Sequence, residues 1–405
     1  MQLNVPGEKR PGGAVDGGSI AGRRPGVLAR AVQIPVSHPP PVIPSRRIGA
    51  LLMQTYSCAC GQRLFFDNTQ CLRCWRTVGW CPCCRTIAGL DATGMAWRYV
   101  CTRCHSNVRV CQNSADYDVC NRCVVADQPP PGGTIDRPLC DMCQFNSTIP
   151  DLSVPGNQVR WQRLEAAKRR VLRQFQLLRL PPYFGAGSGP PLRFDFKADA
   201  IPTDQGWRPM GQETVYTGHA EGRVTINVRE ADSVEREKLR VAFGESHRTL
   251  AGHFRHELAH YLYDTCVAGS DRRNRFDITF GDPNSPPYGD ALNRYYQQGP
   301  SYDWPNRYVS AYASMHPLED WAETTAALLE IHGLLETARH HGYAMIDLTA
   351  DAFSTALTQF ADLCVFLNEV NRDIGLPEVL TGQYAEPVRQ KLTFAHDTLM
   401  RACGR

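Results

Sequence analysis

The chain has 405 residues and a formal net charge of +3: enough length for two or three domains, too little charge to argue by itself for nucleic acid or an acidic partner. With 42% apolar and 21% charged residues, a sizeable core is within reach. No run of about 18 apolar residues and no basic, apolar, small-residue leader are visible, which points away from a membrane and from secretion and predicts a cytoplasmic protein.

Residues 1–54 are rich in Gly, Pro and Arg and lack a periodic apolar pattern. Pro39-Pro40-Pro41 favours extended chain, so the segment reads as a disordered tail. Met53, just ahead of the first cysteines, is an alternative start that would place residues 1–52 outside the native protein.

Fourteen of the seventeen cysteines lie between Cys58 and Cys143, mostly as close pairs; only Cys266, Cys364 and Cys403 lie outside. Close pairs without a secretory signal read as metal ligands in a reducing compartment. Residues 55–147 are therefore expected to form a zinc-ribbon module, in which metal supplies much of the folding energy. Cys81-x2-Cys84 and Cys101-x2-Cys104 are separated by sixteen residues, and Cys120-x2-Cys123 and Cys140-x2-Cys143 repeat that spacing. Two such knuckles make a closed tetrahedral S4 site, which is structural. Cys58, Cys60, Cys71 and Cys74 form a third set with a tighter first pair, so two to three structural zinc ions are expected, with iron–sulfur as the alternative. Cys83, Cys111 and His105 are left over, and Cys111 is an alternative to Cys123. Trp75, Trp80, Trp97, Arg98 and Arg109 offer a face for protein or nucleic acid, or else pack inside the module.

Residues 148–182 read as a linker and an amphipathic helix. Trp161, Leu164, Val171, Phe175 and Leu178 recur at helical spacing from Gln158 onward. Arg163, Lys168, Arg169, Arg170 and Arg173 fill the other positions and predict a solvated basic face; Pro181 and Pro182 end the helix. In residues 183–405, Arg223–Val228 alternates and is β-branched, which predicts a strand, either a plain sheet member or one that pairs with an extended substrate. Asp232 or Ser233 caps a following helix. Further helices are expected around His256 and His260, from Pro317 to about Ala338, and over Ala350–Asn371, with Gly281–Gly299 partly loop. The fold class is α+β with helices dominant in the second part.

His256-Glu257-Leu258-Ala259-His260 is an HExxH sequence. Residues i and i+4 share one helix face, so both imidazoles reach one metal ion, and Glu257 can take a proton from a water there as general base. Leu250, Phe254, Leu258 and Tyr261 make the helix partly buried, and burying two histidines and a glutamate without a purpose is costly. A catalytic zinc needs a third protein ligand and an open position. Glu319 and Glu323 lie one turn apart on the next long helix, so Glu319 can ligate while Glu323 accepts a hydrogen bond from a ligand histidine, the Glu-zincin arrangement. His316 is the rival ligand, and Asp320 reads as a helix N-terminal charge. Tyr312, or alternatively Tyr308, can donate to a developing oxyanion.

The blocks CGQRLFFDNTQCLRC, IPDLSVPGN, TGHAEGRVTINVREAD, RTLAGHFRHELAHYLYD and YVSAYASMHPLEDWAE resemble a bacterial family of zinc-binding metallopeptidases with an N-terminal zinc ribbon. The last block is also similar to the third-ligand region of anthrax lethal factor-like peptidases, which supports Glu319 and Tyr312. The resemblance implies small ribbons followed by a zincin-like peptidase domain, with one catalytic zinc and a protein or peptide substrate. The cysteine module looks longer than the family's usual one. The alternative function is a zinc-ribbon module that binds protein or nucleic acid and carries an inactive HExxH domain. A toxin-like effector protease is a third reading, opposed by the lack of an export signal.

Overall fold

Short hairpins around the cysteine pairs open the described part of the chain, which in this computed structural model comprises residues 55–183, 189–198, 200–203, 206–209, 215–243, 249–343, 353–378 and 381–402. The expected tail, residues 1–54, lies outside them. Strands β1 (Tyr56–Ser57) and β2 (Arg63–Leu64) pair antiparallel across the first cysteine loop. β3 (Thr77–Cys81), β4 (Thr86–Ala92), β5 (Arg98–Cys101) and β6 (Asn107–Val110) form an antiparallel meander. A short helix α1 (Gln112–Tyr117) leads into β7 (Cys123–Val125), the fifth strand of that sheet. An isolated bridge between Trp80 and Arg122 draws its two ends together. In three CxxC pairs the residue after the second cysteine is left-handed: Trp75, Arg85 and His105, at φ 60, 52 and 58°. That conformation folds the chain back on itself, and the Trp75 and His105 amides donate to the carbonyls of Cys71 and Cys101. β8 (Gly132–Gly133) and β9 (Pro138–Leu139) make a last hairpin before β10 (Asn146–Thr148).

Helix α2 (Asn157–Leu177) matches the apolar periodicity and starts behind Gly156, whose φ of 81° suits glycine. Trp161, Leu164, Val171 and Phe175 are buried as expected, and Leu178 at the helix end is half-buried. The expected solvated basic face is there only in part: Arg163 and Arg170 are exposed. Lys168, Arg169 and Arg173 are buried, because the cysteine module packs on that side. Lys168 pairs with Glu165 and Asn146, Arg169 donates to the Val119 carbonyl, and Arg173 and Arg122 stack on the Trp80 ring at 4.4 and 4.7 Å. Each buried cation thus has a carboxylate, carbonyl or aromatic face to offset its lost hydration.

A second sheet runs in the order β10, β11 (Arg193–Lys197), β15 (Arg223–Asn227), β14 (Gly218–Ala220), while β12 (Ala200–Thr203) and β13 (Gly206–Pro209) form a separate hairpin. β10 and β15 both lie parallel to β11, and β14 turns antiparallel onto β15 at Glu221 and Gly222, both at positive φ. The predicted strand is therefore internal. Hydrogen-bonded on both sides, β15 cannot take an extended substrate, and the outer edge belongs to β14.

Helices follow: α3 (Ser233–Phe243), α4 (Leu250–Cys266), α5 (Arg273–Phe280), α6 (Tyr288–Gln298), α7 (Trp304–Arg307), α8 (Pro317–His340), α9 (Phe353–Asp373) and α10 (Glu386–Ala402). The Thr249 hydroxyl caps α4 by accepting the Gly252 amide at 2.9 Å. Trp321 of α8 donates to the Ala259 carbonyl of α4 at 2.8 Å, a contact that the small residue allows. One apolar cluster joins α2, β11, β15, α4, α8, α9 and α10, and it includes Cys111, Cys120, Cys140 and Cys143. No helix among the described residues is long and apolar enough to cross a membrane.

Candidate metal centre

Helices α4 and α8 cross so that His256, His260 and Glu319 bring one donor atom each to within 4.8 Å of one another. Nε2 of His256 lies 3.1 Å from Glu319 Oε2, and Nε2 of His260 lies 3.4 Å from Glu319 Oε1. Glu323, one turn along α8, faces the other nitrogen of His256, Nδ1, at 2.6 Å. An ionised carboxylate only accepts, so Nδ1 carries the hydrogen and a neutral ring turns the Nε2 lone pair toward Glu319. Glu319 Oε2 is buried without a hydrogen-bond partner. Three acceptor atoms converging on one point repel unless a cation lies among them, and two imidazoles with a carboxylate suit zinc.

Without a metal, a proton takes the place of the cation. Burial works against charge on His256, but Glu319 and Glu323 outweigh it and hold the imidazole well above its ordinary range. Burial alone would raise Glu319, yet the His260 and His256 rings keep it well below the usual carboxylate range. Glu257 is 8% exposed, and its carboxylate makes no hydrogen bond or ion pair with any described residue. Burial pushes that carboxyl up.

His316, the rival ligand, is not among the three converging residues: its Nδ1 accepts the Leu318 amide at 3.2 Å and caps α8, while its Nε2 is buried without a hydrogen-bond partner. Asp320 is not a free first-turn charge but is buried in an ion pair with Lys391 of α10 at 2.5 Å. The Tyr312 ring lies 6.2 Å from that of His256. Tyr308 packs instead under Lys391, 4.1 Å from its ring centre.

Three neighbours escaped the sequence reading. Tyr288, at the start of α6, donates its hydroxyl to Glu319 Oε1 at 3.0 Å. Ser310 donates to Glu323 Oε2 at 2.7 Å. His219 on β14 stacks on His260 with ring centres 6.3 Å apart, and its Nε2 accepts the Gly222 amide at 3.0 Å. Burial, with the His260 ring adding to it, pulls His219 down to about 4, so it sits there neutral. A lone histidine or serine on a strand or loop carries no spacing signal; for Tyr288 the only cue was Pro286-Pro287 just ahead, a helix-start pattern.

The cysteines gather into three groups of four. Cys58, Cys60, Cys71 and Cys74 form the first, with sulfurs of Cys58 and Cys74 at 3.7 Å and of Cys60 and Cys71 at 3.6 Å. Cys81, Cys84, Cys101 and Cys104 form the second, with Cys81–Cys104 at 3.6 Å and Cys84–Cys101 at 3.8 Å. These separations exclude disulfides. They match the edge of a tetrahedron with metal–sulfur bonds of about 2.3 Å, which is about 3.8 Å. The third group is Cys111, Cys120, Cys140 and Cys143, so the structure brings in Cys111 and leaves Cys123 out. Cys123 faces the second ribbon's apolar interior, where burial raises its thiol and favours the neutral form. Cys83 and His105 are exposed and belong to no group. Of the expected contact face, Trp80 is buried under two guanidiniums, and Arg98 pairs with Asp127. Trp75 and Trp97 remain exposed.

The family described as "Putative zinc-binding metallo-peptidase" matches residues 157–398, and a zinc-ribbon domain family matches residues 55–154. An uncharacterized protein of Mycobacterium tuberculosis (strain ATCC 25618 / H37Rv) is 34% identical over 353 residues, which is 85% of this chain and 94% of the relative. An uncharacterized protein of Mycobacterium bovis (strain ATCC BAA-935 / AF2122/97) matches at the same 34% identity and the same coverage. No solved structure matches the chain.

Proposed function

Because the chain belongs to the zinc-binding metallopeptidase family and carries a zinc-ribbon domain ahead of the peptidase region, we propose that it is a zinc-dependent peptidase of the Glu-zincin type. The observation that carries this is the convergence of His256, His260 and Glu319 beside a carboxylate, Glu257, that makes no hydrogen bond or ion pair among the described residues. These three residues would hold zinc, which when bound polarises a water and the scissile carbonyl. Glu257 takes the water's proton as its oxygen attacks the peptide carbon, then gives that proton to the leaving amine. Tyr312 donates its hydroxyl to the oxyanion; burial raises that phenol and keeps it protonated for the role. Glu323, itself held by Ser310, fixes the tautomer and orientation of His256. The three cysteine groups hold one structural zinc each, and a reducing compartment such as the cytoplasm is the setting that suits them. The substrate class is a protein or peptide.

Glu257→Gln tests the assignment. Proteome-wide cleavage products seen with the wild type should disappear, by at least about 10²-fold in rate, while total zinc per chain stays the same. Cleavage persisting in the variant would remove Glu257 as the base.

A further inference from the structure

Tyr288 reaches the site from α6, far from HExxH in the chain. Its ring edge packs on His316, with centres 5.1 Å apart, so the residue that caps α8 also fixes the phenol's direction. From there the hydroxyl donates to one oxygen of Glu319, Oε1, at 3.0 Å. The other oxygen, Oε2, is buried, has no hydrogen-bond partner and lies 3.1 Å from the Nε2 of His256. The carboxylate is thus asymmetric before any ion arrives: each oxygen faces one imidazole, His256 at Oε2 and His260 at Oε1, but only Oε1 also accepts a hydroxyl.

A carboxylate can bind a metal through one oxygen or both. A hydrogen bond into Oε1 withdraws electron density from it and holds the plane of the group, which leaves Oε2 as the better donor. Single-oxygen binding matters here. Two imidazoles and one oxygen leave a fourth corner open, whereas a second carboxylate oxygen would fill it.

We propose that Tyr288 is a positioning residue that makes Glu319 bind metal through Oε2 alone and so keeps a coordination position free. This rests on the reading of His256, His260 and Glu319 as metal ligands, and it assigns Tyr288 and Tyr312 different jobs: one sets the ligand, the other faces the substrate.

The test uses the full chain, loaded with cobalt(II) in place of zinc at the chelatable site. The visible spectrum is recorded as a difference against His260→Ala, which cancels the cysteine sites. In Tyr288→Phe, with circular dichroism and melting temperature matching the wild type, the four-coordinate absorption should weaken toward that of a five-coordinate ion. Zinc affinity, read by chelator competition, should fall about 10- to 100-fold. An unchanged difference spectrum in Tyr288→Phe overturns the role of Tyr288, whatever the affinity does. A wild type with no His260-dependent cobalt signal instead overturns the ligand assignment itself, so the two failures are distinct.

Discussion

Glu323 never approaches the reacting atoms, yet it decides which nitrogen of His256 is available. It accepts the Nδ1 hydrogen at 2.6 Å and is braced by Ser310 at 2.7 Å. Replacing it with Gln removes the charge that favours this tautomer while keeping the shape. We expect zinc at the chelatable site to bind about 10- to 100-fold more weakly, measured by competition with a chromogenic chelator, with Ser310→Ala losing less. Unchanged affinity in Glu323→Gln would mean that His256 needs no such brace. At this scale the sequence was legible where spacing speaks. His256 with His260, and Glu319 with Glu323, each lie four apart, and a helix puts such pairs on one face. It was silent for Tyr288, which lies 31 residues from its partner Glu319. Spacing also left His316 open as a ligand, because a cap is recognised by the orientation of its backbone, which residue type does not reveal.

Helix α2 shows what periodicity hides. Four of the five apolar positions at helical spacing lie on a buried face as predicted, with Leu178 half-buried, but Lys168, Arg169 and Arg173 are buried on the other side. Their partners are Glu165, the Val119 carbonyl and Trp80, two of them set by distant chain, so nothing local marks the face as covered. Short strands such as β10 and β14 were missed because three residues carry no alternation to read. Between α8 and α10 lies a second buried pair: His332 and His396 stack 5.3 Å apart, with Phe353 of α9 stacked on His396 at 4.1 Å. Burial pulls His396 down to about 4, from an ordinary 6.5. The unfolded chain therefore takes up a proton that the folded chain refuses between those values. The contribution of His396 to stability is complete above about pH 6.5 and is lost as pH falls toward 4, up to about 3 kcal/mol. Urea unfolding at pH 7 and pH 5 should show a smaller gap in His396→Phe than in the wild type; equal gaps would refute this.

The three cysteine groups differ in depth. Cys74 of the first is exposed, and each of the first two groups pairs buried with half-buried or exposed sulfurs. All four cysteines of the third are buried, inside the same apolar cluster as the helices of the metal centre. Metal loss should follow that order, because each site's binding energy is folding energy for what surrounds it. Cys74→Ser should shift the main calorimetric transition by no more than about 1 kcal/mol, whereas Cys140→Ser should abolish it as a cooperative event. Equal effects of the two substitutions would show that the third site is no more part of the core than the first. The α+β class and the order of ribbons before helices could be read from the sequence; that the two parts share a core could not.

One strand sharpens the point. β10 comes from the stretch that ends the cysteine module, yet it forms the border of the sheet under α4. A trimmed protein beginning at residue 157, where the peptidase family match starts, would strip that border away. β11 would then present a naked row of amides and carbonyls, an invitation to pair with a neighbouring molecule. The apparent seam between the two family matches is thus a poor place to cut: what looks like a detachable leader is the hem that keeps the sheet from fraying into its neighbours.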